Sequence, residues 1–168
     1  MRRKIPRCEA AYLSMVIALA VPGTAMSQEH SLLVDTGVIF SAQQLERSAD
    51  AYRKMGIMPP YWTPSSEDIA RLERELKPYL AGETTPQAKV IGSTKFGSYK
   101  RQYLGYTNDG RRWIFVNSFC EWWTKEKGRL WHEDRFIVFD GGSCFFTVRY
   151  NQSNSQFHEL KINGPWRW

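Results

Sequence analysis

The chain has 168 residues, of which 42% are hydrophobic, 24% charged and 14% aromatic, and its formal net charge is +6. This composition is typical of one folded domain and argues against extensive disorder. Half of the positive excess lies at the N-terminus, because residues 28–168 keep 19 basic and 16 acidic side chains, a balance of +3. So small an excess argues against a nucleic-acid-binding function, and no nucleic-acid partner is predicted.

The first residues have the order of a secretory signal peptide. Four basic residues precede an apolar run at 10–21, and small residues around Ala25 and Ser27 follow it. The run is shorter than the roughly 20 apolar residues that a membrane-spanning helix needs. The sequence therefore predicts a signal peptide over residues 1–27, a periplasmic or secreted location, and no stable membrane anchor after cleavage.

A short amphipathic helix is predicted after an apolar arm at residues 31–40. Ser41 and Gln44 form a capping-box pattern, apolar side chains follow at helical spacing, and Gly56 suits the C-terminal stop. The arm itself is expected to lie against the fold without a defined element.

A second helix is predicted after the proline-rich segment at 58–64. Thr63 is expected to cap it, with Pro64 in the first turn. Pro78 should end or kink the helix, because proline removes a backbone donor. Residues 81–98 are then predicted to be a loop with room for a short strand at Lys89 to Ile91.

The rest of the chain alternates polar and apolar residues between turn signals, as strands do. Strands are predicted at 99–106, 111–120, 135–139, 143–150 and 156–163. Asn108-Asp109-Gly110 should join the first two as a hairpin, and Asp140-Gly141-Gly142 the next two. The strand at 111–120 is apolar on both faces and is placed in the centre of the sheet, whereas 156–163 is expected at an edge.

Helices followed by a run of strands predict an α+β fold. One domain over residues 28–168 is expected, with one or two helices packed on one face of an antiparallel sheet of about five strands.

Cys120 and Cys144 both lie on predicted strands of this sheet. In an oxidising compartment such a pair is typical of a disulfide. The alternative is two buried thiols that act as small hydrophobic side chains.

The connection at 121–135 places three tryptophans among charged residues and is the candidate binding surface. Its candidate residues are Trp122, Trp123, Arg129, Trp131 and His132. Exposed aromatic rings beside cationic side chains are common in binding surfaces. The alternative is that the rings fold back and cover the sheet.

His132-Glu133-Asp134 is the densest cluster of metal-binding or acid–base groups. A metal site needs three or four converging ligands, and adjacent residues rarely converge, so no metal or cofactor is predicted. The chain has neither a Gly-x-Ser-x-Gly motif nor a papain-like cysteine context, and no catalytic residue is assigned.

Several segments together resemble a pattern of small exported bacterial proteins of unknown function. They are Pro60-Tyr61-Trp62-Thr63-Pro64, the helix after it, Asp140-Gly141-Gly142 and Asn163-Gly164-Pro165. A helix before an antiparallel meander is similar to the cystatin arrangement, and Pro165-Trp166 resembles the Pro-Trp hairpin of cystatin inhibitors. The resemblance implies a cystatin-like fold for most of the chain. The Gln-x-Val-x-Gly inhibitor loop is absent, its nearest match being Gln102-Tyr103-Leu104-Gly105, so protease inhibition is not implied.

The sequence thus favours an exported, non-enzymatic module that binds another protein, such as an inhibitor or immunity-type factor. One alternative is a small periplasmic hydrolase of envelope polymers, with His132 and either Glu133 or Asp134 as its acid–base pair. A structural envelope protein is the other.

Overall fold

The computed structural model describes residues 32–128, 130–135 and 141–164. The predicted signal peptide, Arg129, most of the strand predicted at 135–139, and Pro165-Trp166 lie outside these residues. The described helices are α1 Ala42–Arg47, α2 Ala49–Arg53, α3 Ser66–Gly82, α4 Pro86–Val90, α5 Trp122–Lys127 and α6 Leu130–Glu133. The described strands are β1 Leu32–Val34, β2 Gly37–Phe40, β3 Tyr61–Trp62, β4 Tyr99–Asn108, β5 Arg111–Cys120, β6 Phe145–Asn151 and β7 Gln156–Ile162. The α+β class is therefore confirmed.

The strands form one sheet in the order β1-β2-β4-β5-β6-β7, and β3 pairs with β4 beside this path. The sheet is mixed, because β2 runs parallel to β4 whereas the other neighbours are antiparallel. The prediction of an antiparallel sheet of about five strands was wrong at the edge formed by β1 and β2. Both strands come from the segment at residues 31–40 that was predicted to be an arm. Gly37 allows the parallel pairing, since a Cβ atom there would lie 1.8 Å from the carbonyl oxygen of Arg101.

The central hairpin is confirmed. β4 and β5 pair along their whole length, and the turn between them places Asp109 at φ 49° and Gly110 at φ 70°. Both angles are left-handed, as a tight hairpin turn requires. β5 lies between β4 and β6, so its predicted central position is also confirmed.

The second predicted hairpin involves residues 136–140, which lie outside the described residues. In the described part of the chain, β6 pairs with β5 on one side and with β7 on the other. β6 begins at Phe145, after a 3₁₀ turn at Gly142–Cys144. The predicted edge position of β7 is confirmed.

The helix starts follow their caps. Ser41 and Gln44 form the predicted capping box, although the first helix is divided at Ser48 into α1 and α2. α3 starts two residues later than predicted, because Ser65 and Asp68 form a capping box of their own. The helix also continues past Pro78 to Gly82. Pro78 lacks a backbone N–H, so one helical hydrogen bond is lost there. Burial of the apolar stripe of α3 offsets this loss; the stripe consists of Ile69, Leu72, Leu76 and Leu80.

The predicted loop at 81–98 is largely helical, and it contains no strand at Lys89 to Ile91. Thr85 caps α4 and Pro86 takes the first helical position. A π-helical turn at Ile91–Lys95 and a 3₁₀ turn at Phe96–Ser98 lead into β4. The buried Ala88 and Ile91 side chains fix this segment against α3 and the sheet.

Helices cover both faces of the sheet, and not one as predicted. On one face, α3 and α4 pack on a core that includes Tyr103, Val116 and Val148. On the other face, Leu45 of α1, Tyr52 of α2 and Trp131 of α6 pack on Leu104, Phe115 and Phe119. The predicted alternation of β4 and β5 side chains between the two faces is therefore confirmed. None of the helices in the described ranges is long and apolar enough to cross a membrane.

A buried ion pair fastens α3 to the sheet. Arg101 is 1% exposed, and its Nη1 lies 3.2 Å from Oε2 of Glu73. The Tyr103 hydroxyl donates to the other oxygen of Glu73 at 2.9 Å, and the guanidinium lies 4.1 Å from the centroid of Phe96. Burial raises the pKa of Glu73, although Arg101 and Tyr103 act in the opposite direction.

Candidate functional site: a tryptophan-bearing excursion closed by a disulfide

We call residues 121–143, which connect β5 and β6 in the chain, the excursion; its described residues are 121–128, 130–135 and 141–143. Cys120 is the last residue of β5, and Cys144 is the last residue before β6. The structure joins them in the predicted disulfide, with Cα atoms 4.9 Å apart and a sequence separation of 24. The bond closes the excursion where it leaves the sheet.

Hydrogen bonds reinforce this closure. The Tyr99 hydroxyl donates to the carbonyl oxygen of Ser143 at 2.7 Å, and the backbone N–H of Glu121 donates to the carbonyl oxygen of Ser98, also at 2.7 Å. Both ends of the excursion are therefore attached to the start of β4. A more exposed ion pair adds to this, with Lys100 Nζ 3.7 Å from Glu121.

Trp131 belongs to the core. It is 9% exposed, and its ring meets Phe119 edge-to-face at 5.8 Å. Its backbone carbonyl accepts a hydrogen bond of 2.7 Å from the side-chain amide of Gln102, which also donates to the carbonyl of Asp134 at 2.8 Å. For this tryptophan, the structure supports the alternative in which the ring folds back onto the sheet.

Gln102 is itself held by Asn117, whose amide donates to Gln102 Oε1 at 2.8 Å. These two buried amides position α6, and the sequence analysis did not identify them. A signal was present for Asn117, which is a polar residue within the strand predicted to be covered on both faces. Such groups need hydrogen-bond partners, and here the excursion supplies them.

The adjacent Trp122 and Trp123 have different surroundings. Trp123 is half-buried and meets Phe145 edge-to-face at 5.6 Å. Trp122 stacks on Trp123 with ring centroids 4.3 Å apart, and it remains 46% exposed. Leu130, at the start of α6, is 60% exposed. Trp122 and Leu130 are therefore the large hydrophobic side chains that the described part of the excursion exposes to solvent.

The acid–base cluster does not form a metal centre. The ring of His132 lies on Trp131 at 3.8 Å, while Glu133 and Asp134 are exposed. Among the described residues, no group of three or more histidine, cysteine or acidic side chains is arranged to hold a metal ion. Arg129, the remaining candidate, lies outside the described residues.

Arg135 connects the excursion to α2. Its Nη1 donates to the carbonyl oxygen of Ala51 at 3.0 Å and contacts the sulfur of Met55, and the guanidinium lies 5.4 Å from the ring centroid of Tyr52. Burial lowers the pKa of Arg135 and raises the pKa of Tyr52 to about 12. The excursion thus contacts the helices on this face of the sheet as well as the sheet itself.

Fold and site define an α+β protein with helices on both faces of a mixed sheet and a disulfide-closed, tryptophan-bearing excursion. Comparisons of the chain with protein-family models, with curated proteins and with solved structures found no match. The function is therefore argued from the geometry of the site.

Proposed function

We propose that the protein is an exported, non-enzymatic binding module that contacts another protein through the excursion. An inhibitor or an immunity-type factor is the kind of protein that this proposal describes. The partner would contact the exposed side chains of Trp122 and Leu130.

One observation carries the proposal. The described part of the chain exposes four large hydrophobic side chains, Met58, Val90, Trp122 and Leu130, and two of the four lie on the excursion. The position of the Trp122 ring is also fixed, because it stacks on Trp123, which packs on the core. A tryptophan held in this way loses little conformational entropy on binding, which is a property of interface hot spots.

The disulfide supports the same proposal. A surface that is fixed in the free protein binds more tightly than one that must become ordered, and the disulfide restricts the excursion before any partner arrives. Export supports the disulfide in turn, because such bonds persist in oxidising compartments. A signal peptide over residues 1–27, removed near Ser27, would deliver the chain to the periplasm or beyond.

The hydrolase alternative needs His132 beside a carboxylate in a cavity. In the described residues the His132 ring packs on Trp131, and Glu133 and Asp134 are exposed, which favours the binding module. The resemblance to cystatins stays a prediction, since Pro165-Trp166 lies outside the described residues.

The test is affinity capture from periplasmic and secreted extracts on the immobilised, processed protein, followed by measurement of the dissociation constant of the captured protein. Replacing Trp122 by Ala should weaken binding about thirtyfold, because a hot-spot truncation typically costs 2 kcal/mol or more. Leu130→Ala should weaken binding as well, by a smaller factor.

Met58→Ala is the matched control, since Met58 is 45% exposed and Trp122 46% exposed, while Met58 lies outside the excursion. It should leave the affinity unchanged. Equal affinities for the native protein, Trp122→Ala and Leu130→Ala would place the interface elsewhere and refute the assignment.

A further inference from the structure

A groove runs between α3 and the edge strand β7, and we call it the α3–β7 groove. It contains two cavities that follow one another along the helix, one of about 450 Å³ beside Glu75 and Tyr79 and one of about 260 Å³ beside Glu83. β7 forms the other wall, with residues 156–158 at the first cavity and Leu160 at the second. The helix and the strand therefore lie side by side along the groove.

The floor of the groove is apolar. Phe157, Leu160 and Ile162 of β7 are half-buried and pack against the core beneath α3. Strict alternation would not place these three side chains on one face. They share it because the pairing of β7 with β6 is irregular at this point, where Glu159 has φ 52°. Tyr79 stacks on Phe157 with ring centroids 4.7 Å apart, so the apolar surface continues from the strand onto the helix.

The helix side of the groove carries two half-buried carboxylates, Glu75 and Glu83. No lysine or arginine lines either cavity, and neither carboxylate forms an ion pair with another described residue. Arg71, one helical turn before Glu75, lies outside the lining. The groove therefore offers two negative charges that the described part of the chain does not pair with a cation.

Tyrosine side chains hold both carboxylates in place. The buried Tyr150 hydroxyl donates to Glu75 Oε2 at 2.8 Å. Tyr79 forms a hydrogen bond with Glu83, and burial together with this bond raises the pKa of Tyr79. A phenol that donates a hydrogen bond orients a carboxylate and leaves its charge unchanged. The two charges are thus positioned before any ligand binds.

The spacing of the carboxylates matches that of side chains on an extended peptide. Glu75 and Glu83, the residue directly after α3, are eight positions apart. At about 1.5 Å per residue this separation is about 12 Å along the helix axis. In an extended chain, residues i and i+4 point the same way and lie about 13 Å apart, with residue i+2 between them on the same side.

We propose that the α3–β7 groove binds an extended basic peptide segment of a partner protein, with lysine or arginine at positions i and i+4 and an apolar residue at i+2. The two basic side chains would pair with Glu75 and Glu83, and the apolar one would rest on Phe157 and Leu160 between them. Charge complementarity selects a cationic segment, and the apolar floor favours a peptide over a simple polyamine. The groove lies on the face of the sheet opposite to Trp131, and the proposal does not rest on the function proposed above.

The experiment is calorimetric titration of the purified protein with synthetic peptides at low ionic strength and about pH 8, where histidine side chains are largely neutral. The probe is acetyl-Thr-Lys-Thr-Leu-Thr-Lys-Thr-amide. Its control, acetyl-Thr-Lys-Lys-Leu-Thr-Thr-Thr-amide, has the same composition and charge but directs its two lysines to opposite sides. Saturable binding of the probe is expected, about fivefold tighter than that of the control, because the control forms one ion pair fewer.

Equal affinities of the two peptides, or no saturable binding of the probe, would overturn the proposal. Spermidine, titrated in the same way, tests the alternative occupant. Spermidine binding as tight as that of the probe would overturn the assignment to a peptide, because it would show that the apolar side chain contributes nothing.

Three glutamate variants locate the binding. Glu75→Gln and Glu83→Gln each remove one charge while they keep a hydrogen-bond acceptor, and each should weaken binding of the probe about fivefold. Glu67→Gln is the matched control, since Glu67 is an exposed glutamate in the first turn of the same helix and lies outside both cavities. It should leave the affinity unchanged. Equal affinities of all three variants would show that the peptide responds to net charge or binds elsewhere, and would overturn the assignment.

Discussion

Residues of one type play different parts in the excursion, and their neighbours decide which. Trp131 is buried against Phe119, Trp123 is half-buried against Phe145, and Trp122 lies on Trp123 and faces solvent. The sequence left open whether these rings bind a partner or cover the sheet. Trp131 covers the sheet, whereas Trp122 stays exposed, as a binding residue would need to be. The difference arises because burial depends on the phase of α5 and α6, which the sequence analysis did not predict.

This difference in burial predicts effects on stability of very different size. Trp131→Ala should lower the free energy of unfolding by about 3 to 5 kcal/mol, because it leaves a cavity between α6 and the sheet. Trp122→Ala should change it by about 0.5 kcal/mol, as substitutions at the surface usually do. Urea unfolding of the two variants against the native protein measures both values. A similar loss in both variants would mean that Trp122 is part of the core, and the proposed binding surface would then lose its central residue.

Elements with strong local signals were predicted correctly, and elements that depend on distant partners were not. The β4–β5 hairpin follows from Asn108-Asp109-Gly110 and the alternation on either side, all of which is local. β2 is four residues long and pairs in parallel with β4, which lies more than sixty positions away in the chain. No sequence signal close to β2 therefore predicts this pairing.

Helix starts show how tertiary context selects among similar signals. The Thr63-Pro64 pair predicts a start of α3 at Thr63, whereas the N-cap in the structure is Ser65, two residues later. The same pair at Thr85 and Pro86 does start a helix, α4, in a segment predicted to be a loop. The pattern is compatible with a helix start at both places, and the packing of the following apolar side chains decides between them.

The disulfide gives a prediction for the excursion as an element. Thiol titration of the denatured, unreduced protein should find none in the processed chain, because Cys120 and Cys144 are bridged and Cys8 would leave with the signal peptide. One thiol would indicate that Cys8 is retained and the chain unprocessed. Two thiols in a processed chain would contradict the bridge.

The double variant Cys120→Ala, Cys144→Ala measures what the bond contributes. Its free energy of unfolding should be about 3 kcal/mol lower than that of the native protein, which is the loop-closure contribution expected for a loop of this length. Since hydrogen bonds from Gln102 and Tyr99 also hold the excursion, the variant should remain folded and keep Trp131 buried.

At the scale of the whole molecule, the α+β class followed from the order of helices and strands, but the layering did not. β5 is apolar on both faces, and a strand of that kind requires cover on both sides. The prediction of helices on a single face conflicted with this pattern, and the structure resolves the conflict by placing α3 and α4 on one side and α1, α2 and α6 on the other. The position of the candidate site follows from its composition, since three tryptophans lie among charged residues at 121–135, whereas no motif in the sequence indicates a substrate or a partner.

Tyrosines occur in both cores and make stability depend on alkaline pH. Burial raises the pKa of all seven described tyrosines, which are Tyr52, Tyr61, Tyr79, Tyr99, Tyr103, Tyr106 and Tyr150. In the unfolded chain each loses its proton near the ordinary value of 10, whereas in the folded chain it keeps the proton to higher pH. Above pH 10 the unfolded state therefore binds fewer protons than the folded state. The contribution of the tyrosines to stability is fully present below that pH and is lost as the pH rises.

The prediction is a steep alkaline unfolding transition in which the tyrosines ionise together. Tyr52 alone, with a pKa of about 12 in the folded state, should withdraw about 3 kcal/mol of stability between pH 10 and 12. Phenolate absorbance followed against pH should rise at higher pH in the native protein than in denaturant, together with the loss of the circular dichroism of the fold. The same titration in denaturant, as a control, should show all tyrosines ionising near pH 10. A full, reversible phenolate signal near pH 10 in a protein that is still folded would mean that these hydroxyls are open to solvent and that the two cores are not packed as described.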